Sequence, residues 1–520
     1  MAAIPAELLS LADFYAFMGL ATSEVAFLKK YAIYRYNRVQ VPKRRGGTRE
    51  LLIPDKRLKY LQRKILPLLE QIYEPRYPVH GFVKNKSVIT NANSHQSRPY
   101  ILNLDLKDFF GTITRNRVEG LLRYLGVPLD VSEAIGAVCT AAYTLPQGAP
   151  TSPILANMVS FRLDNELTRF CKSHNFRYTR YADDLTISSY VEPHQLFEGS
   201  MPASGIVEQD KLSSELQSII LRNAFIINSD KTRYFGKKRR KEVTGLVVNE
   251  FTNVRRTFVR DLRAALFKVQ TLGLAAAQAD YDAKYGPGTD LQRMLRGRLE
   301  WLGQVRSRSF SAYRTLAFRY NDLFPLNQIP IDPTFDEILK EAVLVVQWDE
   351  GDTGDQDAQG TAFFLEGVGL VTAHHCLKDM PVEWAEIFHP HRPTIKYRAK
   401  LSPKFSEHHD LAILEHNIPA HVQHSLKRAN GPTPNKSNII AAGYPEFGPA
   451  DSLSERTGQV IARTTRQLVK YIEVSAVIGD GLSGCPVIND RYEVIAIGHS
   501  GGALESKQLA VDVNELDNLP

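Results

Sequence analysis

The sequence predicts two folds in series, an α+β unit followed by an all-β unit. Three observations carry this reading. At 520 residues the chain is longer than one ordinary core accommodates. At about Asp336 the patterning changes: upstream, apolar positions recur at helical spacing among basic residues. Downstream come short runs such as Val343-Leu344-Val345-Val346, Gly360-Thr361-Ala362-Phe363 and Gly369-Leu370-Val371-Thr372, the pattern of a barrel or sandwich. Charge changes at the same place. Residues 1–330 hold 48 Lys and Arg against 30 Asp and Glu, whereas residues 331–520 hold 16 against 27. The first part is suited to a polyanion and the second is not.

Composition narrows the class. With 43% hydrophobic and 23% charged residues the chain reads as globular rather than disordered. It has no apolar run of about 18 residues, so no transmembrane helix and no membrane partner are expected. Met1–Leu20 carries Glu7 and Asp13 and lacks a basic start, unlike a secretory leader. Cys139, Cys171, Cys376 and Cys485 show neither metal nor disulfide spacing, which predicts a reducing, cytoplasmic setting.

Taken in order, residues 1–40 read as helical, and Val41–Pro54 reads as a basic hairpin turning at Arg45-Gly46-Gly47. A basic amphipathic helix follows from Lys56. In Asn91-Ala92-Asn93-Ser94-His95, Asn91 and His95 lie one turn apart if the segment is helical, placed to hydrogen-bond RNA or each other. Ile101–Leu104 is an apolar strand ending at Asp105, with Phe110 just beyond. Gln147-Gly148 lies in a Gly/Pro turn opening a helix of small residues, which can approach a nucleotide closely.

Tyr178–Ser188 reads as two strands joined at Ala182-Asp183-Asp184, and the adjacent carboxylates repel unless a cation such as Mg²⁺ sits between them. A loop over 190–210, a helix near 211–223, and a strand followed by Lys231 come next. The basic run Lys237–Lys241 suits phosphate, Val243-Thr244-Gly245 closes the sheet, and 255–323 reads as basic amphipathic helices.

The ordered set of Asp105, Gln147-Gly148 and Tyr181-Ala182-Asp183-Asp184 resembles the palm of reverse transcriptases. The resemblance implies a right-hand polymerase, with fingers and palm over 1–235 and palm end and helical thumb over 236–325. It implies that Asp105, Asp183 and Asp184 bind two Mg²⁺ ions. Phe110 would lie under the nucleotide sugar, Gln147 and Gly148 would line the pocket, and Arg45 and Lys231 would meet the triphosphate. Asn91-Ala92-x-x-His95 together with Val243-Thr244-Gly245 resembles the retron branch of the family, which implies RNA contacts by Asn91, His95, Val243, Thr244 and Gly245. The implied partners are a structured noncoding RNA template-primer and its DNA product, joined through a 2′–5′ branch. Rival readings are a non-retron defence or group II intron-like reverse transcriptase, and a nucleic-acid-binding regulator with a relic polymerase site.

Beyond a linker at 326–337, residues 338–520 carry Ala373-His374-His375-Cys376, His409-Asp410 and Gly481-Leu482-Ser483-Gly484. In that order these resemble a chymotrypsin-like serine protease, an all-β double barrel with His375, Asp410 and Ser483 as its triad. Backbone N–H groups of Gly481 and Ser483 would form the oxyanion hole. His499-Ser500-Gly501-Gly502 resembles picornavirus-type processing proteases, which places His499 in the substrate pocket, reading Gln or Glu. A protein substrate and an effector role in anti-phage defence follow by analogy, with self-association left open.

Overall fold

The computed structural model describes residues 4–42, 47–348, 358–378, 380, 383–448, 451–500 and 507–520. The chain divides into two compact units, one over Met1–Ser307 with Ser311–Ile329, the other over Pro330–Pro520 with Arg308–Phe310. No single helix among the described residues is long and apolar enough to cross a membrane.

In the first unit, strands β1 (Tyr36–Pro42) and β2 (Thr48–Pro54) form the expected hairpin, paired from Tyr36↔Pro54 to Pro42↔Thr48. Its tip at 43–46, with Arg45, lies outside the described residues. The helix Lys56–Ile72 starts where the Asp55 carboxylate accepts the Leu58 N–H at 2.8 Å, and it buries Leu58, Leu61, Ile65, Leu68 and Leu69. The central sheet uses β3 (Tyr100–Asp105), β4 (Arg177–Tyr181), β5 (Asp184–Ser189), β6 (Gly205–Ile206) and β7 (Arg233–Phe235). Their order is β4-β5-β3-β7-β6, antiparallel throughout. Leu102 and Leu104 of β3 and Leu185 and Ile187 of β5 bury in one core with Leu155, Leu163 and Leu167 from the helices Ser152–Val159 and Phe161–Ser173. A short hairpin, β8 (Glu242–Val243) with β9 (Leu246–Val247), turns at Thr244-Gly245.

Four helices follow, Arg256–Leu272, Leu274–Tyr285, Leu291–Arg306 and Ser311–Leu323. They bury Leu262, Leu266, Leu295, Leu299, Leu302 and Tyr320. Two expectations are corrected here. The strand placed ahead of Lys231 is reduced to a single bridge, Ile227 to Leu106, and Lys231 lies in a 3-10 turn before β7 rather than after a strand. The linker is shorter than 326–337, because the helix Phe335–Ala342 begins inside it. Thr334 and Glu337 form a capping box that satisfies the first free N–H groups and starts the helix there.

The second unit holds two closed six-stranded barrels. The first is built from β10 (Val343–Trp348), β11 (Ala358–Leu365), β12 (Gly369–Thr372), β13 (Ala385–Phe388), β14 (Lys396–Ser406) and β15 (Leu411–His416), in the order β10-β11-β12-β15-β14-β13. The other uses β16 (Lys427–Arg428), β17 (Asn438–Gly443), β18 (Ser454–Arg466), β19 (Val469–Val474), β20 (Pro486–Asn489), β21 (Glu493–Ser500) and β22 (Gln508–Asp512). Its order is β16-β21-β20-β17-β18-β19-β22, and β21 pairs with β22 to close the ring, with β16 parallel outside it. Closure pairs the strand edges that short β runs otherwise leave open. Leu344, Val346, Phe364 and Leu414 fill the first barrel, and Ile439, Val460, Ile472 and Val487 the second.

Candidate active sites

The antiparallel register of β3 and β5 sets Asp105 directly opposite Asp184, and Asp183 sits in the tight turn leading into β5. Ala182 takes φ +56° at this turn. The Asp183 carbonyl accepts the Leu106 N–H at 3.0 Å, which ties the turn to the end of β3. Three carboxylates thus converge through pairing geometry. Burial and the neighbouring Asp105 raise the pKa of Asp183. Burial, Asp183 and Asp105 push Asp184 up to about 7. Asp105 is the one already compensated: its Oδ1 accepts Asn228 Nδ2 at 2.9 Å and its Oδ2 accepts Lys231 Nζ at 2.8 Å. Two carboxylates whose ionised forms are held back by burial and by neighbouring carboxylates form a donor set that a divalent cation fits.

A cavity of about 560 Å³ opens over these groups, lined by Asp105, Tyr181, Asp184, Lys231, Thr244 and Gly245 among others. On another side, Phe110 is half-buried. The Gln147 carbonyl accepts the Leu52 N–H of β2 at 2.9 Å, joining the Gly/Pro turn to the β1–β2 hairpin. Gly148 takes φ +123°, where a Cβ would stand 3.0 Å from the Leu52 carbonyl oxygen. Only glycine suits that backbone and that approach.

Three residues expected to contact RNA do something else. His95 is fully buried, with Nδ1 2.6 Å from Ser188 Oγ and Nε2 2.7 Å from Thr179 Oγ1, so it staples β5 to β4 beneath the aspartate turn. Burial lowers its pKa well below the ordinary value, which keeps the ring neutral. Asn91 is also fully buried, and neither amide atom finds a partner among the described residues. Val243 is buried as well. Helical spacing put Asn91 and His95 on neighbouring turns, but packing turns them inward, away from any RNA. Thr244 and Gly245 remain at the cavity, with Thr244 Oγ1 donating to the Val88 carbonyl at 3.1 Å.

Sequence reasoning missed the support behind the turn. Arg180 is fully buried and grips Asp164 through two 2.8 Å bonds. It also donates to Asn157 Oδ1 at 3.0 Å and to the Ala182 carbonyl at 3.2 Å. A guanidinium so satisfied holds the turn's backbone rigidly from behind. An arginine at an inward strand position beside Tyr178 was the available signal.

In the second unit, Asp410 takes φ +52° and is buried. Its Oδ1 accepts the His375 backbone N–H at 2.9 Å and its Oδ2 accepts His375 Nδ1 at 2.7 Å. His374 instead stacks on Phe405, with ring centroids 5.0 Å apart. With Nδ1 committed as donor, His375 Nε2 carries the lone pair that a general base needs. The Ser483 turn is sewn to both barrels. Its carbonyl accepts the Thr361 N–H at 3.0 Å, and Gly484 N–H donates to the Gly498 carbonyl at 2.8 Å. Among the described residues no hydrogen bond closes the step from Ser483 Oγ to His375. Such contacts commonly tighten only when substrate binds. Gly481 takes φ +79°, and its carbonyl is held by Thr361 Oγ1 at 2.7 Å. Within the described structure the N–H groups of Gly481 and Ser483 donate to no backbone carbonyl.

The structure places His499, expected at the substrate pocket, against the Asp410 carboxylate. Its Nδ1 lies 2.6 Å from Asp410 Oδ2, the same oxygen that serves His375. The cause is a β-bulge: β21 pairs with β22 at Gly498↔Ala510 and then at Ser500↔Leu509, which leaves His499 as the extra residue, re-aimed toward the triad. Burial alone would raise the Asp410 pKa, but hydrogen bonds from His375 and His499 hold it well below the usual carboxylate range.

Fold and sites define a polymerase palm in series with a double-barrel peptidase. Residues 41–248 match the family model described as "Reverse transcriptase (RNA-dependent DNA polymerase)", and residues 360–497 match that described as "Trypsin-like peptidase domain". The chain is 34% identical to the retron Ec86 reverse transcriptase of Escherichia coli over 242 residues, 46% of this chain and 70% of that one. It is also 34% identical to the retron Mx162 reverse transcriptase of Myxococcus xanthus over 282 residues, 48% of this chain and 56% of that relative. The match thus spans little more than half the length of the Myxococcus protein. The chain belongs to the retron reverse transcriptases, with a trypsin-like peptidase domain beyond the shared part. Among solved structures, the active form of the Rv3671c protease from M. tuberculosis aligns at 14% identity and a TM-score of 0.30, covering 37% of this chain and 90% of that one.

Proposed function

We propose that this chain copies a structured noncoding RNA into DNA that stays joined to the RNA through a 2′–5′ branch, and that its protease domain is the effector of an anti-phage response in the cytoplasm. The observation that carries the polymerase reading is the register that sets Asp105 against Asp184 with Asp183 in the adjoining turn. Asp105, Asp183 and Asp184 would hold the divalent ions, two Mg²⁺ by this reading. When bound, these supply charge neutralisation at the triphosphate and activation of the primer hydroxyl. The chain's own residues do the positioning. Lys231 and Asn228 orient Asp105, Arg180 and His95 hold the turn, and Gln147-Gly148 shapes the nucleotide approach.

In the protease, Ser483 Oγ attacks a peptide carbonyl and His375 Nε2 takes its proton. Asp410 holds the imidazolium, and the N–H groups of Gly481 and Ser483 receive the oxyanion. The four cysteines, all buried and free, support a reducing compartment. The test is to purify the full chain, isolate any nucleic acid carried with it, and digest that with a debranching enzyme. An RNA-linked DNA whose link is cut by the debranching enzyme is expected. Wild-type protein that extends primers but carries only unbranched nucleic acid would overturn the retron part of the reading.

A further inference from the structure

The segment His80-Gly81-Phe82 lies directly on the aspartate turn, and nothing described so far uses Phe82. The N–H groups of His80 and Gly81 both point at the Arg180 carbonyl, at 2.8 and 3.4 Å. Asn157 Nδ2 donates to the Gly81 carbonyl at 2.9 Å. Gly81 is pressed so close that a Cβ there would stand 2.4 Å from the Ala182 nitrogen. The next residue, Phe82, takes φ +59°, a conformation that disfavours a bulky side chain, yet the residue is 45% exposed. Strain of this kind persists only where surrounding contacts impose it, and it gathers at functional sites.

The Phe82 ring ends a series that runs outward from the core. Phe225 stacks on Phe109 at 5.6 Å, Phe109 meets Phe110 edge-on at 5.4 Å, and Phe110 lies 6.2 Å from Phe82. The inner members are buried, Phe110 is half-buried, and Phe82 is exposed, next in the chain to the glycine pressed on the aspartate turn. An apolar ring kept exposed by a strained backbone at a nucleotidyl-transfer site suits one class of ligand, the flat base and sugar of a nucleotide. We propose that Phe82 is a nucleotide-contact residue whose ring packs on the incoming deoxynucleotide while the aspartate turn faces its triphosphate. This rests on the polymerase reading.

The test uses the full chain on a primed RNA template with single-nucleotide incorporation. Phe82→Gly relieves the positive φ, so thermal stability is expected to hold or rise. KM for the deoxynucleotide should rise by about tenfold, with kcat within about twofold, since contact with a base is lost rather than chemistry. Phe82→Trp should restore the wild-type KM. Unchanged KM in F82G would overturn the proposal, as would a change confined to template affinity or lowered stability with intact kinetics. A wild-type chain that extends no primer would instead strike the polymerase reading itself, and this inference with it.

Discussion

The two sites both rest on carboxylates set among other charged or titratable groups, and they resolve the electrostatics in opposite ways. At the palm, burial and Asp105 raise the pKa of Asp183, burial with Asp183 and Asp105 pushes Asp184 up to about 7, and among the described residues the lysine of the site pairs with Asp105. At the protease, Asp410 collects His375 and His499 on one oxygen and the His375 N–H on the other, and its pKa falls. A site left under-neutralised is poised for an ion that arrives with substrate. A carboxylate met by hydrogen bonds from its own neighbours is instead held ionised by the protein itself. The folding cost differs accordingly: the palm gives up stability to keep its charges, and the protease gains stability from its charge.

The largest expected effects separate the two sites. Ser483→Ala should reduce proteolysis on the order of 10⁶-fold while leaving primer extension unchanged, because nucleophile loss removes the whole acyl-transfer route. Peptide hydrolysis and primer extension on one preparation check this, and lost extension would mean the domains work as one unit. Asp183→Asn should abolish extension at any Mg²⁺ concentration and spare proteolysis. Residual metal-dependent synthesis would break the assignment of that turn.

A smaller effect probes the added imidazole. His499→Ala should lower kcat for peptide hydrolysis by about 10- to 100-fold with KM little changed, since a hydrogen bond to a buried charge is worth about 1.5–3 kcal/mol. His499→Gln, which still donates, should recover part of it. A raised KM with intact kcat would return His499 to the substrate pocket.

The smallest effect tests the comparison most directly, because the two sites should respond with opposite sign. Asp184 has its folded pKa above the unfolded value, so its ionisation costs stability above about pH 7 and costs nothing below about pH 4. Asp184→Asn should therefore raise the melting temperature of its unit at pH 8, by about a degree because solvent screens this exposed carboxylate, with no gain at pH 4. Added divalent cation should shrink that gain. Asp410 has its folded pKa below the unfolded value, so its contribution is present above about pH 4 and is lost as pH falls further. Asp410→Asn should lower its unit's melting temperature by a few degrees at pH 8. Calorimetric scans at the two pH values read both, and shifts of the same sign would refute the contrast.

What the sequence determined by itself is what short-range geometry dictates. A strand ending at Asp105, a tight turn at Ala182-Asp183-Asp184, a glycine at 148 and short strands after residue 342 follow from local patterning. The ordered motifs then picked out His375 over His374, even though the pairing partner Asp410 is 35 residues away. Only the tertiary structure decided which way side chains face when their partners are distant. His95 finds Thr179 and Ser188, 84 and 93 residues on, and so turns into the protein rather than toward RNA. Arg180 is fixed by Asp164 on a separate helix. His499 reaches Asp410 across 89 residues because one bulge in β21 shifts its register by a single position. Side-chain direction in a strand reverses with each residue, so one bulge, set by pairing with β22, aims the His499 ring at the Asp410 carboxylate.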